Sequence, residues 1–143
     1  MSRPWGEPWS NNELLIVNAR RRNGLILDKH YYAEFAGPGS AVGGPVDRDC
    51  QRVLPVGNLS LLHPESTDDC TRAYLIRRQW VRLTRQITEN PDPLRRAQMI
   101  LNQFEHYFDS KTVAQLPDEA LALLVGVLPQ TIREARLTFE DVE

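Results

Sequence analysis

Apolar residues in the second half of the chain recur at alternating spacings of three and four positions. In the first run they are Ala73, Ile76, Trp80, Leu83 and Ile87. Because an α-helix has about 3.6 residues per turn, this spacing places them in one stripe. The pattern predicts a helix over residues 68–89, capped by Ser66 or Thr67 and ended by the Asn90-Pro91 pair. Three arginines point away from the stripe: Arg78, Arg82 and Arg85.

A second run with the same spacing follows directly. Its members are Leu94, Ala97, Leu101, Phe104 and Phe108. Asp92 is placed to cap this helix, and Pro93 suits its first position, where the missing N–H costs nothing. Since only a short proline-containing break separates the two runs, we expect the helices to pack antiparallel as a helical hairpin, stripe against stripe.

The apolar residues of the first half are consecutive, so their period does not distinguish helix from strand. Residues 10–13 (SNNE) match a capping box and Asn23-Gly24 matches a helix stop, which allows a helix over 11–22. The same letters allow a hairpin, because LLIV and LIL flank an Asn-Gly pair of the type I′ turn. The β-branched residues Ile16, Val17 and Ile26 favour the hairpin. Both alternatives stand for residues 11–35.

Glycine and proline dominate residues 37–45, GPGSAVGGP, which predicts a flexible loop. Neither glycine-rich phosphate-binding motif is present there. Residues 50–63 hold one or two short strand-like runs, broken at Pro55 and Gly57. The sequence therefore predicts an α+β fold, with a partly extended N-terminal segment at 1–66 and a helical domain of four helices at 67–143.

Charge is distributed unevenly along these 143 residues, although the net charge is only −2. Residues 71–96 carry seven arginines against Glu89 and Asp92, whereas residues 111–143 carry three cations against six acids. A polyanion should therefore prefer the middle of the chain. The sequence shows no secretion signal and no membrane-length apolar run, so we expect a cytoplasmic protein without membrane insertion. Its two cysteines, Cys50 and Cys70, lack metal spacing and are expected to be reduced thiols.

Residues able to do chemistry are scattered rather than clustered. The three histidines, His30, His63 and His106, have no partner at metal-ligand spacing, and no nucleophile motif is present. We therefore expect no catalytic residues, no metal and no cofactor, and hence no enzyme. One polar aromatic group, residues 30–34 (HYYAE), either lines a pocket or packs as ordinary half-buried structure.

Two tryptophans, Trp5 and Trp9, lie in a proline-containing N-terminal stretch that should be extended. Large indoles favour burial, so they either fold back onto the chain's own core or offer aromatic anchors to a partner.

Residues 116–137, LPDEALALLVGVLPQTIREARL, resemble the helix-turn-helix motif. Ala122 is small where the helices cross, Gly126 follows four residues later in the turn, and Ile132 comes six residues further on as the buried anchor. The other apolar positions of the motif are filled by Leu121, Val125 and Val127. The resemblance implies one helix over 118–125 and a second from Pro129.

The same resemblance implies a surface for reading DNA. Its outward residues are Gln130, Thr131, Arg133 and Glu134, with the arginines at 77, 78, 82 and 85 available to phosphates. This chain departs from the motif at Leu128, which puts an apolar side chain toward the groove, and at Pro129, where a hydroxyl usually caps the helix. The closing FEDVE adds three acids.

From these features we expect a non-catalytic regulatory or adaptor protein that binds another protein. The expected contact residues are Trp5, Trp9, Arg78, Arg82 and Arg85. A DNA-binding transcriptional regulator using residues 117–139 is the alternative, and a homo-oligomer is compatible with either.

Overall fold

The computed structural model describes residues 5–8 and 13–142, with side chains described as far as residue 138. Within these residues the chain is α+β, with its strands in the N-terminal half and its α-helices in the C-terminal half. The predicted fold class is confirmed. No helix in this part of the chain is long and apolar enough to cross a membrane.

The strands form two antiparallel sheets of three strands each. They are β1 (Leu14–Val17), β2 (Asn23–Asp28), β3 (Ala33–Ala36), β4 (Ala41–Gly43), β5 (Arg52–Gly57) and β6 (Leu61–Leu62). One sheet has the order β4-β1-β6 and the other β3-β2-β5. A 3₁₀ helix, Gly44–Asp47, separates β4 from β5, and Gly6 pairs with Val53 at the edge of β5. Every residue of the central strand β2 is buried, which agrees with the three consecutive apolar residues at its centre, Leu25, Ile26 and Leu27.

Residues 11–35 were predicted to form either a helix or a hairpin, and the structure has strands there, with no helix within the described residues 13–22. The predicted hairpin is wrong, however, because β1 and β2 do not pair with each other. β1 pairs with β4 and β6, whereas β2 pairs with β3 and β5. Asn23 lies inside β2 instead of in a turn. Its buried Nδ2 donates to the carbonyl oxygens of Asn18 (3.1 Å) and Arg21 (3.0 Å), and its Oδ1 accepts from the backbone N–H of Ser60 (2.9 Å). Asn23 thus fixes the bend that carries the chain from one sheet to the other.

The predicted flexible loop at residues 37–45 is also wrong. Ala41 and Val42 are fully buried in β4, and the N–H of Gly43 donates to the Asp47 carboxylate at 2.7 Å. The small residues serve close packing here: a Cβ on Gly37 would overlap with the indole of Trp80, whose Nε1 donates to the carbonyl of Pro38 (3.3 Å). Glycine is needed at position 37 because an aromatic ring covers its backbone.

Substituting Gly37 by Ala should therefore destabilise the protein by about 1–3 kcal/mol, as overpacking of a filled core does. Urea unfolding followed by tryptophan fluorescence measures the change. Gly6→Ala is the matched control, since a Cβ there would meet nothing closer than 3.7 Å. Equal losses from the two variants would contradict the proposed contact with Trp80.

Five α-helices follow within the described residues. They are α1 (Thr67–Thr88), α2 (Pro93–Tyr107), α3 (Ser110–Gln115), α4 (Asp118–Val125) and α5 (Pro129–Val142). Two predicted caps are confirmed: the Ser66 side chain accepts from the N–H of Asp69, and the Asp92 side chain from that of Leu94. The short helix α3 was not predicted. Asp109 caps it by accepting from the N–H of Thr112 at 2.7 Å.

The predicted helical hairpin of α1 and α2 is only partly present. α1 and α2 touch, but α1 packs mainly on β3 and β4, and α2 packs mainly on α5. An aromatic group joins sheet and helices, with the Phe35 ring 5.4 Å from Trp80 and 4.9 Å from Phe104 between ring centroids. The apolar stripe of α1 therefore packs against β3 as well as against α2. The spacing of apolar residues predicts the stripe but not the element that covers it.

Candidate functional site

A cleft of about 240 Å3 lies where the loop between β2 and β3 meets α1 and the end of α4. We call it the tyrosine cleft. The loop and β3 contribute Tyr31, Tyr32, Ala33 and Glu34; α1 contributes Val81, Thr84, Arg85 and Thr88; α4 and its end contribute Leu123, Leu124 and Gly126. Of the polar aromatic group noted in the sequence, Tyr31, Tyr32 and Glu34 thus line a pocket, whereas His30 does not. The structure brings these three residues together with one of the arginines expected to bind a partner, Arg85.

The loop that presents the tyrosines has a fixed backbone. The N–H of Lys29 donates to the carbonyl of Tyr32 at 2.8 Å, and the N–H of His30 donates to Asp28 Oδ1 at 2.8 Å. His30 has a φ of 86°, a left-handed conformation that is uncommon for residues other than glycine. Tyr31 is 87% exposed and Tyr32 is 48% exposed. The turn therefore holds two large aromatic side chains toward solvent.

A buried ion network anchors one side of this loop. Lys29 Nζ lies 2.9 Å from Asp47 Oδ1, and the guanidinium of Arg77 lies 2.9 Å from the same oxygen. Arg77 also reaches Glu34 Oε1 in the cleft wall at 2.8 Å. Burial alone raises the pKa of Asp47, but the hydrogen bonds and charges of Arg77 and Lys29 outweigh it and hold that pKa below its usual value. The network ties the loop, the 3₁₀ helix and α1 together.

A second ion cluster anchors the other side. Arg52 Nε lies 2.7 Å from Asp28 Oδ2, and Arg52 Nη2 lies 2.6 Å from Glu119 Oε1. The guanidinium carbon stacks 4.1 Å above the ring of Trp5, which is half-buried against the main core. Of the two alternatives for the tryptophans, Trp5 folds back onto the chain's own core. Trp9 lies outside the described residues.

Arg78, Arg82 and Arg85 lie exposed on α1, as predicted. Within residues 5–8 and 13–138, none of their guanidinium groups has a hydrogen-bond or ion-pair partner. Arg77, one residue away, is different: it is buried, and so the idea that it is available to phosphates is wrong. The three exposed arginines form an uncompensated row along α1, and Arg85 is the member that lines the tyrosine cleft.

The residues suggested for DNA contact lie at the start of α5. Gln130 is exposed, Thr131 is half-buried, and the Arg133 side chain is 70% exposed with its Nε 3.8 Å from Asp118. Arg136 is committed elsewhere: its guanidinium pairs with Asp118 at 2.8 Å and donates to the carbonyls of Val113 and Leu116 beside α3. Leu128 is 66% exposed next to them.

Both cysteines are free, and one of them is chemically masked. Cys50 is buried, and its Sγ donates to the carbonyl of Arg52 at 3.2 Å. Burial and the negative charge of Asp47 raise the pKa of the Cys50 thiol to about 11. No group of three metal-ligating side chains was found in the part of the chain that the structure describes.

A thiol-specific reagent should therefore separate the two cysteines. Near pH 8 roughly a thousandth of Cys50 would be thiolate, so only the half-buried Cys70 should react in the folded protein. Ellman's reagent counts thiols with time, and a Cys70→Ser variant should show almost none until denaturant is added. Rapid reaction of the folded Cys70→Ser protein would contradict this.

The arrangement offers recognition chemistry: two exposed aromatic rings with hydroxyl groups, an apolar wall and one free guanidinium. The sequence pointed to the tyrosines and to Arg85 separately. It gave no sign that Leu123 and Leu124 of α4 form the opposite wall, because that contact joins residues about ninety positions apart. Comparison of the chain with protein-family models, with curated proteins and with solved structures finds no match.

Proposed function

We propose that this protein is a non-catalytic regulatory or adaptor protein that binds another protein at the tyrosine cleft. The observation that carries the proposal is the exposure of Tyr31 and Tyr32 on a loop fixed by two ion networks. Tyrosine and arginine are enriched at the centres of protein interfaces. A loop that is already ordered loses little conformational entropy on binding. The two free cysteines fit a reducing, cytoplasmic setting.

Affinity purification from the native cell tests the proposal. The tagged full chain should recover one protein in stoichiometric amount, and the double variant Tyr31→Ala, Tyr32→Ala should lose it. Leu62→Ala is the control, because Leu62 is also an exposed apolar side chain (48%) but lies in the other sheet. Recovery of no partner, or equal recovery with the double variant, would refute the proposed role of the cleft.

DNA binding by α5 remains the alternative proposal, and the exposed side chains of Gln130 and Arg133 at the start of α5 favour it. Such binding depends on phosphate contacts and weakens steeply with salt. Fluorescence anisotropy with labelled duplex DNA at low salt measures it, and Arg133→Glu should abolish it. No binding at micromolar protein would exclude this alternative.

A further inference from the structure

The charged group of the tyrosine cleft that has no partner within the described residues is positive. Two ionised side chains line it, Glu34 and Arg85. The Glu34 carboxylate is held by Arg77 at 2.8 Å, which offsets its charge. Arg85 has no side-chain partner among the described residues. A ligand in the cleft therefore meets a free guanidinium, which favours ligands that carry a carboxylate or another anionic group.

Two further guanidinium groups extend this charge along α1. Arg78, Arg82 and Arg85 are four and three residues apart, so they lie on one face of the helix. With a rise of 1.5 Å per residue, the row is roughly 10 Å long. An extended peptide covers that length in about three residues at roughly 3.3 Å each. Side chains two residues apart face the same side of such a segment, so acids at alternate positions along it can both reach the row.

The apolar part of the cleft fits a single side chain. Its wall is formed by Ala33, Val81, Leu123 and Leu124, and the volume of the whole cleft is about 240 Å3. Sites for drug-sized ligands and cofactors hold roughly 300–1,000 Å3. The space therefore suits one aromatic or large aliphatic side chain flanked by the rings of Tyr31 and Tyr32.

We propose that the partner, whose existence rests on the function proposed above, presents an extended acidic segment to this surface. One aromatic or aliphatic side chain of the segment enters the tyrosine cleft, and neighbouring Asp or Glu carboxylates pair with Arg85, Arg82 and Arg78. The attraction is local, since the chain as a whole has a net charge of −2. Charge complementarity of this kind selects the partner and speeds the encounter.

Selection of random dodecapeptides displayed on phage against the full-length protein tests this inference. Enriched peptides should carry two or more acids beside one aromatic or aliphatic residue. Synthesised with a fluorescent label, they should bind the double variant Arg82→Glu, Arg85→Glu at least roughly tenfold more weakly than the natural protein. Their affinity should also fall as salt is raised to about 0.15 M, where screening acts over roughly 8 Å. The double variant Arg72→Glu, Arg95→Glu is the control, an equal charge change at two exposed arginines outside the row.

Enrichment of neutral or basic peptides, no enrichment at all, or equal binding to the double arginine variant would overturn the acidic class of partner. The adaptor proposal is judged separately, by the purification with the tyrosine variants, so its failure can be distinguished from failure of the acidic class of partner. If light scattering shows a dimer that dissociates on Arg85→Glu, the occupant is a second copy of this chain, and a separate acidic partner is overturned.

Discussion

Replacing Asp47 by Asn should lower the free energy of unfolding by about 3–5 kcal/mol, the usual cost of removing one partner from a buried ion pair. The Asp47 side chain is 1% exposed and accepts from Lys29, Arg77 and the N–H of Gly43. Asparagine keeps the shape but removes the charge and one acceptor oxygen. Two buried cations then lose the buried counterion that they share, and keep only the less buried carboxylates of Glu34 and Asp49. Urea unfolding followed by circular dichroism measures the loss.

Asp49→Asn is the matched control for this substitution. Asp49 lies 2.7 Å from the same Lys29 Nζ, but its side chain is 64% exposed. Because water screens the exposed Asp49 carboxylate and Lys29 keeps Asp47 as a partner, its removal should cost at most about 1 kcal/mol. Similar losses from the two variants would show that the network is not buried in solution as it is in the structure.

The same pair of variants should differ in their response to acid. The pKa of Asp47 is lowered in the folded protein, so its contribution to stability is fully present above the unfolded value of about 3.9. That contribution is lost as the pH falls through the lower folded pKa. Below about pH 4 the natural protein and Asp49→Asn should therefore lose stability more steeply than Asp47→Asn. Unfolding midpoints across this range test the sign.

The helices were predictable because their signals are local. The three-four spacing of apolar residues and the caps at Ser66 and Asp92 act within one or two turns, so the sequence carries them directly. The helix α3 was not predicted because its six residues are too few to show a helical period of apolar positions. Strand pairing joins distant residues, such as Leu15 with Val42, and no local pattern encodes that register.

Arg77 shows how the candidate site was only partly readable. It was grouped with the exposed arginines because of its charge. Yet it stands four residues after Ala73 and three before Trp80, on the same stripe that faces the core. A charged residue on an apolar stripe is a signal for a buried ion pair, but the acids that complete it, Glu34 and Asp47, are far away in sequence. Only the fold brings them together.

Substituting Phe35 by Ala should cost about 3–5 kcal/mol, as for other large aromatic residues deleted from a core. Phe35 is 2% exposed, and its ring centroid lies 4.9 Å from that of Phe104, 5.4 Å from Trp80 and 6.0 Å from Phe108. It thus joins β3 to both α1 and α2. Thermal unfolding should show the loss. Phe35→Leu should recover part of it, because leucine refills much of the cavity.

Tyr31→Ala is the control for Phe35→Ala, because Tyr31 is an aromatic residue in the loop that leads into the same strand, β3. Tyr31 is 87% exposed, so its removal should change the free energy of unfolding by no more than about 0.5 kcal/mol. A small effect on stability would leave the Tyr31 side chain available for contact with a partner, as the adaptor proposal requires. If Tyr31→Ala instead destabilised the protein as much as Phe35→Ala, Tyr31 would be a core residue, and loss of a partner with the tyrosine variants would report unfolding instead of binding.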